Sequence, residues 1–120
     1  MTFYKNKFME STRLQKVSRL LQKELGTFLQ RERQIVCGGK MVTVTAVRIS
    51  PDLGIAKVYL SIFPSEKKDE TLVQIKSHVK NIRYILGKNI HNQLRIIPEL
   101  DFFIDDSLDY IEKIEGLLKK

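Results

Sequence analysis

The sequence predicts a single α+β domain in which a three-stranded sheet packs on helices. Two observations carry that expectation. The chain has 120 residues, the length of one domain, and can bury a core without disulfides or metal. Its hydrophobic pattern also switches between a helical period and strict alternation, in the order helix, strand, strand, helix, strand, helix. Hydrophobic residues make up 42% and charged residues 29%, close to globular averages, which argues against a fibre or a disordered tail. No internal repeat or low-complexity linker interrupts the order, so residues 11–120 are expected as one domain behind a loosely held, flexible N-terminus at 1–10.

The first helix is expected over Ser11–Gln30. Thr12 and Gln15 have the spacing of a capping box, and Leu14, Val17, Leu21, Leu25 and Phe28 recur every three or four residues along one face. Gly38-Gly39 marks a break. Residues 41–49, MVTVTAVRI, are rich in β-branched side chains and read as a strand. In the turn Ser50-Pro51-Asp52-Leu53-Gly54, Pro sets φ, Asp can bond nearby backbone, and Gly permits positive φ. Residues 55–63 form the second strand of an antiparallel hairpin. Ala56, Val58, Leu60 and Ile62 face one side, and Lys57, Tyr59 and Ser61 the other.

Pro64 ends that strand, and Glu66–Glu70 is a charged start to the next helix. From Thr71 to Ile90 a helical period runs through Leu72, Ile75, Val79, Ile82, Leu86 and Ile90, with Gly87 as a candidate break. Leu100, Phe102 and Ile104 alternate with Asp101 and Phe103 as a third strand. Asp105, Asp106 and Ser107 can cap a last short helix carrying Leu108, Ile111, Ile114 and Leu118 on its apolar side. This α-β-β-α-(kink)-α-β order is that of a type II KH-like domain, a class that binds single-stranded nucleic acid. Order by itself does not establish function.

Charge distribution is more informative. The formal net charge is +7, but residues 1–40 hold nine Lys/Arg against three Asp/Glu and residues 41–95 nine against four. The last 25 residues hold three against seven, so a basic body precedes an acidic end. A basic body points to a polyanionic partner. On the first helix Arg13, Lys16, Arg19 and Lys23 lie away from the apolar face; on the second, Lys76, Lys80, Arg83 and Lys88 flank it, and Arg95 follows. One basic helix face can be a solvated surface and nothing more. Two segments almost free of acid favour phosphate contacts, and these nine residues are the candidate RNA-binding set. There is no Gly-x-x-Gly loop for a backbone phosphate clamp, so binding is expected to rest on side-chain charge.

Other chemistries fit less well. Asp101, Asp105, Asp106 and Asp109 could suggest a two-metal nuclease, but strand alternation and helix capping account for them. Cys37 has no spacing that links it to His78 or His91 as a nucleophile and base, and the histidines lack metal-ligand spacing. A single cysteine excludes an internal disulfide and favours a reducing compartment. Tyr59 and Phe63 could stack on bases, but covering a sheet face suits them better. No catalytic residue, metal site, cofactor or small-molecule substrate is expected. No signal-like N-terminus or run of about 18 apolar residues occurs, so a cytoplasmic protein without membrane contact is expected.

Two segments carry a family resemblance: Ser50-Pro51-Asp52-Leu53-Gly54-Ile55-Ala56-Lys57-Val58-Tyr59-Leu60-Ser61, and Arg95-Ile96-Ile97-Pro98-Glu99-Leu100-Asp101-Phe102-Phe103-Ile104-Asp105-Asp106-Ser107-Leu108. With Gln22-Lys23-Glu24-Leu25 and Ile82-Arg83, the chain from Arg13 to Leu118 resembles the ribosome-binding factor A family. The resemblance implies a type II KH-like fold and a monomeric, cytoplasmic, non-enzymatic factor. It implies binding to the free small (30S) ribosomal subunit, action late in its maturation, and support of 16S rRNA processing near the 5′-terminal helix. The other readings are a general KH-like RNA-binding module and a protein-interaction module docking through its acidic end. The family carries Ala-x-Gly at the kink between its central helices. His78, Val79 and Lys80 stand at the matching positions here, which leaves Gly87 as the expected break. His91-Asn92-Gln93 resembles a small insertion before the last strand.

Overall fold

A computed structural model describes residues 2–105, with side chains described for 12–105. The elements, in chain order, are α1 (Thr2–Arg31), α2 (Arg33–Val36), β1 (Met41–Ile49), β2 (Ile55–Phe63), α3 (Lys68–Ser77), α4 (Val79–Ile90) and β3 (Glu99–Ile104). Apart from the single-turn α2, this is the α+β order expected of a type II KH-like domain. The last helix expected over 108–118 lies outside the described residues.

The sheet has the order β1-β2-β3. β1 and β2 pair antiparallel, from Met41 opposite Phe63 to Ile49 opposite Ala56. β3 returns parallel to β2, from Glu99 beside Ile55 to Ile104 beside Leu60. A parallel return requires a crossover, and α3 and α4 supply it. The register shifts between Val44 and Ala46, so Thr45 is the extra residue of a bulge. Its hydroxyl donates to the Asp105 carboxylate at 2.7 Å and lies 3.2 Å from the Tyr59 carbonyl, tying the bulge to the end of β3.

Alternation puts Val42, Val44, Val47, Ala56, Val58, Leu60, Ile62, Leu100 and Phe102 on one buried face. Leu21, Leu25, Phe28 and Leu29 of α1 join Ile75 of α3 and Ile82, Leu86 and Ile90 of α4 in the same core. The described helices therefore form one layer on one side of the sheet. Gln22 of α1 donates to the Val44 carbonyl at 3.0 Å and occupies an acceptor of the β1 edge strand. On the opposite face Tyr59 and Phe103 stack with ring centroids 5.5 Å apart, the sheet-covering role expected for Tyr59.

Three local expectations change. α1 begins at Thr2 rather than Ser11, so residues 2–10 have helical backbone and Thr12 is interior to the helix. The chain there has no Gly or Pro to stop a helix. In the hairpin loop it is Leu53, not Gly54, that takes positive φ, at 61°. Gly54 instead avoids a tight contact: a Cβ there would sit 3.2 Å from the Asp52 carboxylate, which accepts the Gly54 N–H at 3.0 Å and the Ser50 hydroxyl at 2.6 Å. These two donors hold the Asp52 carboxyl below the usual range, the Ser50 hydroxyl contributing most.

The third change is the break between the central helices, which falls at His78 and not at Gly87. His78 closes α3 by donating its N–H to the Ile75 carbonyl at 3.0 Å and opens α4 by accepting from Ile82 at 2.9 Å. Its φ and ψ of −101° and 11° lie in the bridge region, and its ring Nδ1 stands 3.2 Å from the Gln74 carbonyl in the last turn of α3. Gly87 continues through α4. A Cβ there would meet Ile97 at 3.3 Å, so the glycine serves close packing of the strand-entry segment on the helix.

Phe102 is 1% exposed at the centre of the core. Phe102→Ala is expected to lower the free energy of unfolding by about 3–5 kcal/mol, read from the denaturant midpoint at unchanged slope.

Candidate nucleic-acid interface

The basic side chains owe their placement to the apolar stripe of each helix. In α1, burying Leu21, Leu25 and Phe28 turns Arg13, Lys16, Arg19 and Lys23 outward, and all four are exposed. In α4, burying Ile82, Leu86 and Ile90 leaves Lys80 and Lys88 exposed. Lys76 in the last turn of α3 and Arg95 after α4 are exposed as well. α1 and α4 touch, and both pack on the same sheet face, so the two rows lie on the outer side of one helical layer.

Arg83 departs from this pattern. It is half-buried, its Nε donates to the Pro98 carbonyl at 3.1 Å, and its Nη2 donates to the Ile97 carbonyl at 2.8 Å. The guanidinium fork therefore secures the segment that enters β3, a task its position on the helix flank does not reveal.

The other candidate chemistries can be placed too. Cys37 is fully buried between α2 and β1, and burial pushes its thiol up to about 11, against a smaller lowering by Arg33. A protonated, enclosed thiol is not a nucleophile at neutral pH. Asp101 is exposed on β3, and Asp105 accepts the Thr45 hydroxyl. Asp106 and Asp109 lie outside the described residues. Among the described residues no group of three or more His, Cys, Asp or Glu is placed to hold a metal ion, and no helix is long and apolar enough to cross a membrane.

A side chain that charge counting missed is Tyr84. It is 69% exposed on α4, one turn from Lys80 on one side and one turn from Lys88 on the other. The available signal was an aromatic set off the apolar stripe of Ile82 and Leu86, on the helix face that carries Lys80 and Lys88.

Comparison with known proteins agrees with this architecture. The family model described as "Ribosome-binding factor A" matches residues 13–118. A relative of that name from Cytophaga hutchinsonii is 45% identical over 112 residues, covering 93% of this chain and 84% of its own length. One from Flavobacterium johnsoniae is 47% identical over 111 residues, covering 92% and 85%. The crystal structure of ribosome-binding factor A from Thermus thermophilus superposes with a TM-score of 0.63 at 22% identity, covering 74% of this chain and 92% of that one. The solution structure of a Thermotoga maritima putative ribosome binding factor A gives 0.54 at 25% identity, covering 72% and 84%.

Two outcomes test these assignments. Arg83→Met is expected to cost about 1–3 kcal/mol of stability in denaturant unfolding, because two carbonyls at the strand entry lose a charged donor. For Cys37, a raised thiol pKa means that its stabilising contribution is complete below the ordinary value of 9.0 and is lost as pH rises toward about 11. Denaturant unfolding across that window should show the wild type losing up to about 2–3 kcal/mol relative to Cys37→Ala.

Proposed function

This chain belongs to the ribosome-binding factor A family, and on that premise we propose that it binds the free small (30S) ribosomal subunit as a cytoplasmic monomer and assists late maturation. Contact with 16S rRNA near the 5′-terminal helix would support processing of that RNA, without catalysis by the protein. The observation that carries this reading is the pair of Lys/Arg rows on the outer side of one helical layer. The relatives' name supplies the ribosome as the polyanion they fit.

The rows act by neutralising phosphates and releasing condensed counterions, which gives salt-dependent affinity with little dependence on base sequence. A backbone clamp is not available to this chain. His78 stands at the break between α3 and α4, and no glycine pair there lets the main chain approach phosphate. Side-chain cations must then supply most of the affinity. Arg13, Lys16, Arg19, Lys23, Lys76, Lys80, Lys88 and Arg95 are placed for it, and Arg83 contributes by holding the strand-entry segment.

Co-sedimentation with purified small subunits across a salt series tests the surface. Reversing Lys16, Arg19 and Lys23 to Glu should abolish pelleting at moderate salt. Single neutral substitutions should each reduce the slope of log affinity against log salt by roughly one. Pelleting of the triple variant at wild-type levels would exclude the α1 row.

A further inference from the structure

We propose that Tyr84 is a stacking platform for an unpaired base of single-stranded RNA, held by the flanking lysines of α4; the inference rests on the RNA-binding reading of the basic helical layer. Three observations carry it. The first is exposure without a partner. The Tyr84 ring is 69% exposed, and among the described residues it makes no hydrogen bond or ring contact. Tyr59 stacks on Phe103, Phe28 and Phe102 are buried, and Phe63, equally exposed rather than covering the sheet, ends β2 away from the lysines of α4. An exposed ring is free to stack on a base where neighbouring groups hold the ligand against it.

The second is position. Lys80, Tyr84 and Lys88 stand at successive i, i+4 places along α4 (Val79–Ile90), and all three are exposed. Neighbours at that spacing lie about 5–6 Å apart, so a backbone whose phosphates meet the two lysines passes directly over the ring. Asn81, also exposed, sits one turn before Tyr84 and offers an amide to the edge of a base or to a phosphate.

The third is charge. No Asp or Glu occurs from Thr71 to Pro98, so nothing on α4 repels a polyanion or invites a basic protein segment. An apolar protein partner would be better served by an aromatic among neutral residues. A nucleic acid brings both the phosphates for Lys80 and Lys88 and a π-face for the ring. Stacking of this kind accepts any base, which suits a chain without a backbone clamp for reading sequence.

Fluorescence anisotropy of a labelled, short single-stranded oligoadenylate with the full chain tests the proposal. Tyr84→Ala should weaken binding about tenfold, the scale of one base–aromatic stack, and leave the slope of log affinity against log salt unchanged. Tyr84→Phe should bind like the wild type, because the ring and not the hydroxyl makes the contact. Lys80→Ala and Lys88→Ala should weaken binding and flatten the slope. Wild-type affinity in Tyr84→Ala, equal loss in Tyr84→Phe, or no binding of the oligonucleotide by the wild-type chain each overturns the stacking role. If the lysine variants still lose affinity while Tyr84→Ala does not, the basic-layer reading survives without the stack. If none of the variants changes binding, both fall.

Discussion

The structure depends on burial of one face of a small sheet. β2 lies between its two partners, and Ala56, Val58 and Leu60 are 0% exposed, with Ile62 at 6%. Every described helix packs against the face these residues define. At about 25 cal/mol per Å² of apolar surface, this continuous core is the main favourable term in folding. It also dictates the surface. A helix that turns its leucines and isoleucines inward presents its remaining positions outward, and these include Arg13, Lys16, Arg19 and Lys23 in α1 and Lys80 and Lys88 in α4. The basic surface is the other side of the core pattern, so its geometry needs no separate support.

The polar contacts that matter here hold joints. The Thr45 bulge is tied to Asp105 at the exit of β3, Arg83 grips the carbonyls of Ile97 and Pro98 at its entry, and Gln74 of α3 donates to the Ile35 carbonyl of α2 at 2.9 Å. Each joins segments that are distant in sequence, and Arg83 and Gln74 do so by donating to backbone carbonyls that need partners. The parallel strand β3 gains most from this. Its pairing to β2 depends on a crossover of two helices, and a loosely held entry would let the register slip.

The break at His78 links fold to function. KH-type recognition ordinarily brings phosphate against glycine backbone at this place between two helices. This chain keeps the break, at bridge-region dihedrals and with the imidazole beside the Gln74 carbonyl, but fills the place with a bulky ring. On the proposed reading, side-chain contact would take the place of backbone contact. The lysines that follow immediately along α4, with Tyr84 between them, then become the groups that RNA would meet.

The order of elements, the hairpin, the buried face of each strand and the outward direction of Lys16, Arg19, Lys23, Lys80 and Lys88 were all legible in the sequence. Each follows from a local period, 3.6 or 2, which the core only has to obey. The family was legible as well, from the segments around Asp52 and Asp105. Tertiary structure alone decided the parallel return of β3, the bulge at Thr45, the place of the break, the use of Gly87 for packing against Ile97, and the inward tie of Arg83. These are contacts between residues far apart in the chain, and no local period records them. Gly87 shows the difference most clearly. By propensity it is a helix breaker, yet in the fold it lies on a continuous helix where an added Cβ would press on the Ile97 side chain at 3.3 Å.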